Sequence, residues 1–553
     1  MDHSFKTALV IGAGRVGAWV ARDLMERGCE VVATTQNPIT QRALSCLDIR
    51  VVPWKWASDA DWTELEACQA EVWCVTVPPR GGMEEAAAFH HELQDAARRC
   101  GVKRLIWTSS TAVYNPDHTG DVTEADAEHR LSRHTGVDLL ALEKIHAPVM
   151  GGDPEFVALR LGGLFSKDRH PVDALMRRFP LVEADGVVQW VHERDAAAAC
   201  VLAALAKEVL PLAMNVVAPE VARRRHLVEA AWGQRPDLPE MQGGGVHRHV
   251  RSDELNRRGM TWAVPSPEEW VRSQPFPTES GHWEGPHGRL FWTRHRTLAG
   301  PPSGVVLMVH GYKGFKEWGN WQGVAAKWAD EGWEVVRMDF SHNGHLPPFD
   351  TDCLDEGSWS ENHYRFEVEE VQFGLKQLAS EGLPLAVVGH SRGGAMAVLG
   401  AKACQDAGVP LAGVGLWAPV SNVMARFPSG QELERWQETN RLEVVNGRTG
   451  QTLVHPFAFY EDALAHRERL DVQSAAEQLT CPVLVVHGDS DPAVTWVEGR
   501  QISRWAKQGE LKVIEGADHV FGMRHPWSLG QPWPSHLRQA SDATLAWLDS
   551  LLS

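Results

Sequence analysis

The sequence predicts an α/β protein of two domains, and three observations carry that expectation. Its 553 residues exceed one hydrophobic core, since single cores stop growing near about 250–300 residues. A short apolar run ending in a glycine-rich turn opens the chain. A second series of apolar runs, each passing into polar residues, fills the other half, as in open sheets that gather their chemistry at strand exits.

The first run, Thr7–Ile11, passes into Gly12-Ala13-Gly14-Arg15-Val16-Gly17 and then into a helical pattern through Val20, Leu24 and Met25. A second strand, Glu30–Thr34, answers it. In this strand–turn–helix–strand setting Gly12, Gly14 and Gly17 form the GxGxxG turn that seats a pyrophosphate on a helix N-terminus, with Arg15 and Val16 inside the loop. The second strand ends in Thr34-Thr35-Gln36-Asn37 without Asp or Glu to accept from ribose hydroxyls. That weakens NAD and leaves Thr35 as the contact candidate there. Arg15 is a partner for a 2′-phosphate, so NADP is favoured.

Further strands are expected at Val72–Val77, before Pro78-Pro79, and at Arg104–Thr108, before Ser109-Ser110-Thr111-Ala112-Val113-Tyr114. With Ala158–Phe165 and Val191–Ala197, these pieces resemble an extended or atypical short-chain dehydrogenase/reductase, an NAD(P)-dependent epimerase-like Rossmann domain, over about residues 5–272. That family's Tyr-x-x-x-Lys pair delivers and tunes a proton beside a Ser or Thr. Ser110 fits the hydroxyl position, but aligning the helix puts Thr135 and Leu139 where Tyr and Lys belong. Nucleotide binding without turnover is the expectation.

Regular patterning lapses between Pro265 and Gly281, after a short helix expected over Glu268–Arg272. The expected organisation is a domain at 1–272, a linker at 273–281 and a second domain at 282–553.

In the second half Val305–Val309 runs into His310-Gly311-Tyr312-Lys313-Gly314, and Leu385–Val388 into Gly389-His390-Ser391-Arg392-Gly393. The pentapeptide reads as a nucleophile elbow, where small neighbours let a serine stand exposed on a tight strand-to-helix turn. The backbone N–H groups of Tyr312 and Arg392 are the candidates for stabilising an oxyanion. Pro482–Val486 ends in His487-Gly488-Asp489-Ser490-Asp491-Pro492, and Leu511–Ile514 in Glu515-Gly516-Ala517-Asp518-His519. The order is Ser, Asp, His.

On these motifs the chain from about Gly281 to Ser553 resembles a serine α/β-hydrolase of the esterase or acyl-peptidase-like kind. The segments Val309–Gly319 and Arg337–Gly344 are similar to a bacterial subgroup of hydrolases. The resemblance implies Ser391 as nucleophile, His519 as general base and Asp491 as the orienting acid. Asp489 and Asp518 stand as rivals for the acid. After Val414–Ala418, residues 419–479 are expected to form a small lid, with Phe427, Trp436, Phe457, Phe459 and Tyr460 more readily read as its own core than as an acyl pocket. Trp318 and Trp321 are expected in a loop near the pocket.

A formal net charge of −18 does not suit a nucleic-acid or anionic-membrane partner. No apolar run approaches the roughly 20 residues that span a bilayer, and the segment Met1–Lys6 shows no signal-peptide pattern. Nine cysteines without a CxxC pair fit a reducing cytoplasm. The 26 histidines include no recognised zinc spacing, so no metal is expected. The leading expectation is cleavage of a carboxylic ester or related small-molecule acyl substrate, with no cofactor needed by the hydrolase. Two alternatives are a bifunctional epimerase or reductase plus hydrolase, and an NADP(H)-sensing module.

Overall fold

The computed structural model describes residues 5–552 except 57–60, 80, 133–134, 148–152, 177–179, 234, 236–237, 299, 350–351 and 529. Met1–Ser4 of the expected chain start therefore lie outside the described residues. The chain divides into two compact units, Met1–Gln274 with Pro347–Phe349, and Pro275–Leu346 with Asp350–Ser553.

The first unit is built on a parallel sheet in the order Ala213–Val216, Glu155–Leu161, Arg104–Ser110, Val72–Val75, Thr7–Ile11, Glu30–Thr34, Arg50–Val52. The chain starts in the middle of the sheet, moves to one edge and returns to the other side. This is the doubly wound arrangement whose reversal point lies beside the first strand. The central strands are apolar on both faces because helices cover both; Leu9, Val10, Ile11, Trp73 and Trp107 are fully buried.

The second unit has a sheet in the order Thr278–Glu284, Arg289–His295, Trp333–Met338, Gly304–Val309, Leu385–His390, Gly413–Trp417, Val483–Gly488, Gly509–Ile514. Arg289–His295 pairs antiparallel with both of its neighbours, Thr278–Glu284 and Trp333–Met338, and the remaining neighbours pair parallel. The segment expected as linker, 273–281, thus contains the start of the edge strand Thr278–Glu284. Its alternating exposed and half-buried residues mark an edge strand with one solvated face.

Between the strands Gly413–Trp417 and Val483–Gly488 lies the stretch expected as a lid. It holds a helix Gln431–Thr439, a hairpin of Leu442–Val445 with Thr452–His455, and helices Ala458–Ala465 and Val472–Gln478. Phe427 meets Trp436, Phe459 and Tyr460 with ring centres 5.1–6.0 Å apart, and Trp436 meets Phe457 at 5.5 Å. These aromatics pack on one another as a core of this cap. Among the described residues no helix is long and apolar enough to cross a membrane.

Candidate active site

Ser391 stands between the strand Leu385–His390 and the helix Arg392–Asp406, with φ 57° and ψ −121°. Such a backbone costs a side chain on the order of 1–3 kcal/mol and persists only where the surroundings over-determine it. Here they do: the Ser391 N–H donates to Trp417 O at 2.8 Å, and its carbonyl accepts from Val420 N at 3.1 Å and Gly394 N at 3.0 Å. The glycines are required by space. A Cβ on Gly389 would stand 2.3 Å from Gly393 O, and one on Gly393 would stand 2.3 Å from His310 O.

The Ser391 hydroxyl lies 3.0 Å from His519 Nε2, and His519 Nδ1 lies 2.7 Å from Asp491 Oδ2. The strands that precede Asp491 and His519, Val483–Gly488 and Gly509–Ile514, begin 98 and 124 residues after the serine's strand Leu385–His390 begins, and the parallel sheet brings their exits to one edge. Asp491 has no exposed side-chain surface. Burial disfavours its charge, but hydrogen bonds from His487, His519 and the Val494 amide outweigh that and hold the carboxyl well below the usual carboxylate range. Its Oδ1 accepts from the Ala493 and Val494 amides at 2.8 and 2.9 Å.

The rival acids are occupied elsewhere. Asp489 accepts from the Gly516 amide at 2.7 Å and Asp518 from the Gly522 amide at 2.7 Å, both at exposed turns. Of the three carboxylates, Asp491 is the one seated against His519.

Tyr312 and Arg392 flank the serine. A Cβ on Gly311 would lie 2.9 Å from Ser391 Cβ, so the Gly311-Tyr312 backbone passes directly beside the nucleophile. Arg392 is the first residue of the elbow helix, where backbone N–H groups have no intrahelical partner. Among the described residues, neither the Tyr312 nor the Arg392 amide donates to another backbone group.

Sequence reasoning missed two histidines. His487 is fully buried, and its Nε2 lies 3.2 Å from Asp491 Oδ2 and 3.0 Å from Val494 O. Both partners are acceptors, so Nε2 carries the proton and His487 acts as a fixed donor to the acid. His390 Nε2 lies 2.9 Å from the His519 carbonyl, and burial pushes its imidazole down to about 3. It anchors the backbone that carries His519. His390 lies in the pentapeptide and His487 ends the acid's strand, so position was the available signal. Trp321 begins the helix Trp321–Asp330 rather than lying in a loop, and its ring meets His390 and Trp417 at 5.4 Å each. Trp318 lies in the preceding turn with its ring 6.3 Å from Trp321.

On the helix Tyr364–Ala379, the buried Glu370 accepts from the Ser341 amide at 3.1 Å and from the Ser341 hydroxyl. Burial pushes its carboxyl up to about 8 against those bonds. The native state therefore holds this proton more tightly than the unfolded chain, and stability falls as pH rises from about 4.3 towards that value. Glu370→Gln is expected to flatten the fall in thermal midpoint between pH 6 and pH 8.5; an unchanged slope in calorimetry would refute the assignment.

In the first unit Gly12 has φ +92°, and a Cβ on Gly17 would stand 2.5 Å from both Gly12 O and Thr76 Oγ1. Gly12 N donates to Thr34 Oγ1 at 2.8 Å, and Ala13 N to Thr34 O at 2.6 Å. These contacts clamp the glycine loop onto its sheet, with Val16 buried and the helix Gly17–Glu26 leading away. Gly14 and Arg15 are exposed. The Arg15 guanidinium donates to Ser166 Oγ at 2.9 Å and lies 3.6 Å from Glu193. It is thus engaged within its own unit. Thr35 is buried at the end of its strand, and Asn37 caps the next helix.

The positions aligned with the dehydrogenase acid–base pair hold other roles. Thr135 lies in an exposed turn, and Leu139 opens the helix Leu139–Ile145 with its side chain buried. Ser110 caps a short 3-10 turn through Ala112 N at 3.2 Å. That helix instead presents Glu143, 2.6 Å from Arg160 Nη2 and 2.7 Å from Ser109 Oγ. Arg160 Nη1 in turn donates to the Tyr114 hydroxyl at 3.0 Å. Burial pushes that phenol up to about 12. Among the described residues no group of three or more His, Cys, Asp or Glu is arranged to hold a metal ion.

A serine on a strand-to-helix elbow, facing histidine and carboxylate from later strand exits of a mostly parallel sheet, defines the second unit as an α/β-hydrolase domain. Residues 306–528 match the alpha/beta hydrolase family, and residues 12–208 match an NAD(P)H-binding family. The protein therefore joins an NAD(P)H-binding domain to an α/β-hydrolase domain. Solved structures similar to it include Est1E from Butyrivibrio proteoclasticus, with 17% identity, 49% of this chain and 98% of that chain covered and a TM-score of 0.37. A monoglyceride lipase from Saccharomyces cerevisiae shows 15% identity, coverage of 51% and 99% and a TM-score of 0.39. A monoacylglycerol lipase from Paleococcus ferrophilus shows 19%, 47% and 99%, and 0.36. No curated protein matches the chain.

Proposed function

We propose that the second domain is a serine hydrolase that cleaves carboxylic esters or related small acyl substrates through an acyl-enzyme. The observation that carries this reading is the unbroken relay Ser391 Oγ, His519, Asp491, at 3.0 and 2.7 Å. Ser391 Oγ forms a bond to the acyl carbon while its proton passes to His519 Nε2 and the carbonyl electron pair becomes an oxyanion. The Tyr312 and Arg392 amides receive that charge. Collapse expels the leaving alcohol, which takes the proton from His519. Water then repeats the sequence on the acyl-enzyme, with His519 as base. Asp491 keeps the imidazole in the tautomer that presents Nε2 to the serine.

The test is intact-mass labelling with a fluorophosphonate followed by peptide mapping. One adduct on Ser391 is the expected result, and a folded protein that takes none would end this reading.

The first domain, in the same proposal, binds NAD(P)(H) without reducing or oxidising a substrate. Thr135 and Leu139 supply neither the phenol nor the lysine of the acid–base pair, and Tyr114 is locked in a buried network with Arg160 and Asn215. Arg15, Val16 and the glycines line the pyrophosphate seat. Arg15 remains the proposed 2′-phosphate partner, which requires it to leave Ser166 and Glu193. The middle glycine provides a clean test. A Cβ on Gly14 would find no atom nearer than 3.9 Å, so Gly14→Ala preserves the fold but puts a methyl where the pyrophosphate approaches. Titration calorimetry with NADPH and NADH is expected to show binding weakened roughly tenfold, about 1.4 kcal/mol. Undiminished affinity would place the nucleotide elsewhere.

A further inference from the structure

The two residues proposed to bind the oxyanion are joined through their side chains. The Arg392 guanidinium carbon lies 4.5 Å from the centre of the Tyr312 ring, within cation–π range. Arg392 Nη2 donates at 2.7 Å to Glu367 Oε1, a carboxylate only 1% exposed that also accepts from Asn362 Nδ2 at 2.7 Å. Glu367 belongs to the helix Tyr364–Ala379, which packs along the elbow helix. The Arg392 end is therefore tied into the core.

The Tyr312 end is tied to the cap. Its hydroxyl lies 2.9 Å from His455 Nε2, at the end of the hairpin strand Thr452–His455. The His455 carbonyl accepts from the Trp436 indole N–H at 2.9 Å, and its ring stacks 4.6 Å from Phe459. Burial, reinforced by the Arg392 charge, pushes the His455 imidazole down to about 3, and burial raises the Tyr312 phenol. The bond thus joins two neutral groups. The same hairpin also grips the next residue of the loop: Lys313 Nζ donates to Val445 O at 3.1 Å, and Arg448 Nη2 donates to Lys313 O at 2.7 Å.

The need for such a brace follows from the backbone. Arg392 N is held by a helix, whereas Tyr312 lies beyond the end of its strand, before Lys313 with φ +55°. A misplacement of about 1 Å in a catalytic group costs on the order of a hundredfold, and oxyanion donors act only near 2.7–3.1 Å, roughly one hydrogen-bond length.

We propose that Tyr312 and Arg392 side chains are a positioning brace, running from buried Glu367 to His455 of the cap, and that the seating of the cap hairpin thereby sets the rate of acylation rather than substrate affinity. The proposal rests on the serine-hydrolase reading above.

Tyr312→Phe removes only the hydroxyl, His455→Leu removes its partner, and His455→Gln restores a polar group in its place. Each is compared with wild type for kcat and KM on p-nitrophenyl acetate and for the second-order rate of fluorophosphonate labelling. Tyr312→Phe and His455→Leu are each expected to slow kcat and labelling roughly tenfold, a fraction of what losing a whole donor costs, with KM within about twofold. The double variant is expected to be no slower than either single, since both cut one link, and His455→Gln to recover most of the rate. Independent, multiplying losses, a raised KM with kcat unchanged, or unchanged labelling would overturn the brace. Wild type labelled at Ser391 with variants labelled as fast removes the brace alone; wild type not labelled removes the hydrolase reading with it.

Discussion

Replacing Ser391 with alanine is expected to lower kcat for p-nitrophenyl ester hydrolysis by roughly 10⁶-fold, the scale seen when a triad nucleophile is removed elsewhere. The substitution deletes one oxygen from a side chain 8% exposed, and it also removes a polar atom from a strained backbone position. Thermal stability should therefore hold or rise slightly, because neither the Trp417 carbonyl bond nor the helix start depends on the hydroxyl. Substrate binding should survive with KM little changed. The readout is the rate together with the loss of the fluorophosphonate adduct. Retention of more than about a hundredth of the wild-type rate, far above the residual left to a site without its nucleophile, would mean that another group attacks.

Asp491→Asn has the next largest expected effect, roughly 10⁴-fold in kcat. Every contact of the carboxylate is with a donor: His519 Nδ1 and His487 Nε2 at Oδ2, and two amides at Oδ1. An asparagine must turn its NH₂ towards one pair of donors. Facing His519, it forces the proton to Nε2 and points the wrong tautomer at Ser391; facing the amides, it breaks the turn at Ala493 and Val494. Asp489→Asn is the matched control and should change kcat less than about threefold, because that side chain serves an exposed turn away from His519. Comparable losses in the two variants would return the assignment to open rivalry.

The depressed carboxyl of Asp491 also has a signed effect on stability. Its folded pKa lies below the unfolded value, so its contribution is present above about pH 3.9 and is lost as pH falls through the folded value. Asp491→Asn should accordingly lose the most stability at neutral pH and less below about pH 3.9, a narrowing gap between variant and wild type readable from thermal midpoints at pH 7 and pH 3.

Much of this was legible in linear form. Apolar runs of five or six residues flanked by glycine announce buried parallel strands, because a strand covered on both faces has no polar side to alternate with. The elbow and the glycine loop are local, since the small residues they need are sequence neighbours of the residues they serve. Ser391 and the GxGxxG turn could therefore be read directly. The start of the edge strand Thr278–Glu284 was read as linker because its polar, half-solvated residues carry no apolar run. Trp321 was read as loop because the helix it opens has no side-chain cap.

Linear pattern was enough for the two-domain α/β plan, the nucleophile's turn, the glycine loop and the lack of a Tyr-x-x-x-Lys pair in the first domain, all of which depend on residues within a few positions of one another. Tertiary structure alone decided which of three carboxylates meets His519, which buried histidine donates to that acid, and how Glu367, Arg392, Tyr312 and His455 come into line. Those choices turn on hydrogen-bond distances between strand exits and helices far apart in the chain. Sheet order sets such distances, and no local pattern of residue types encodes them.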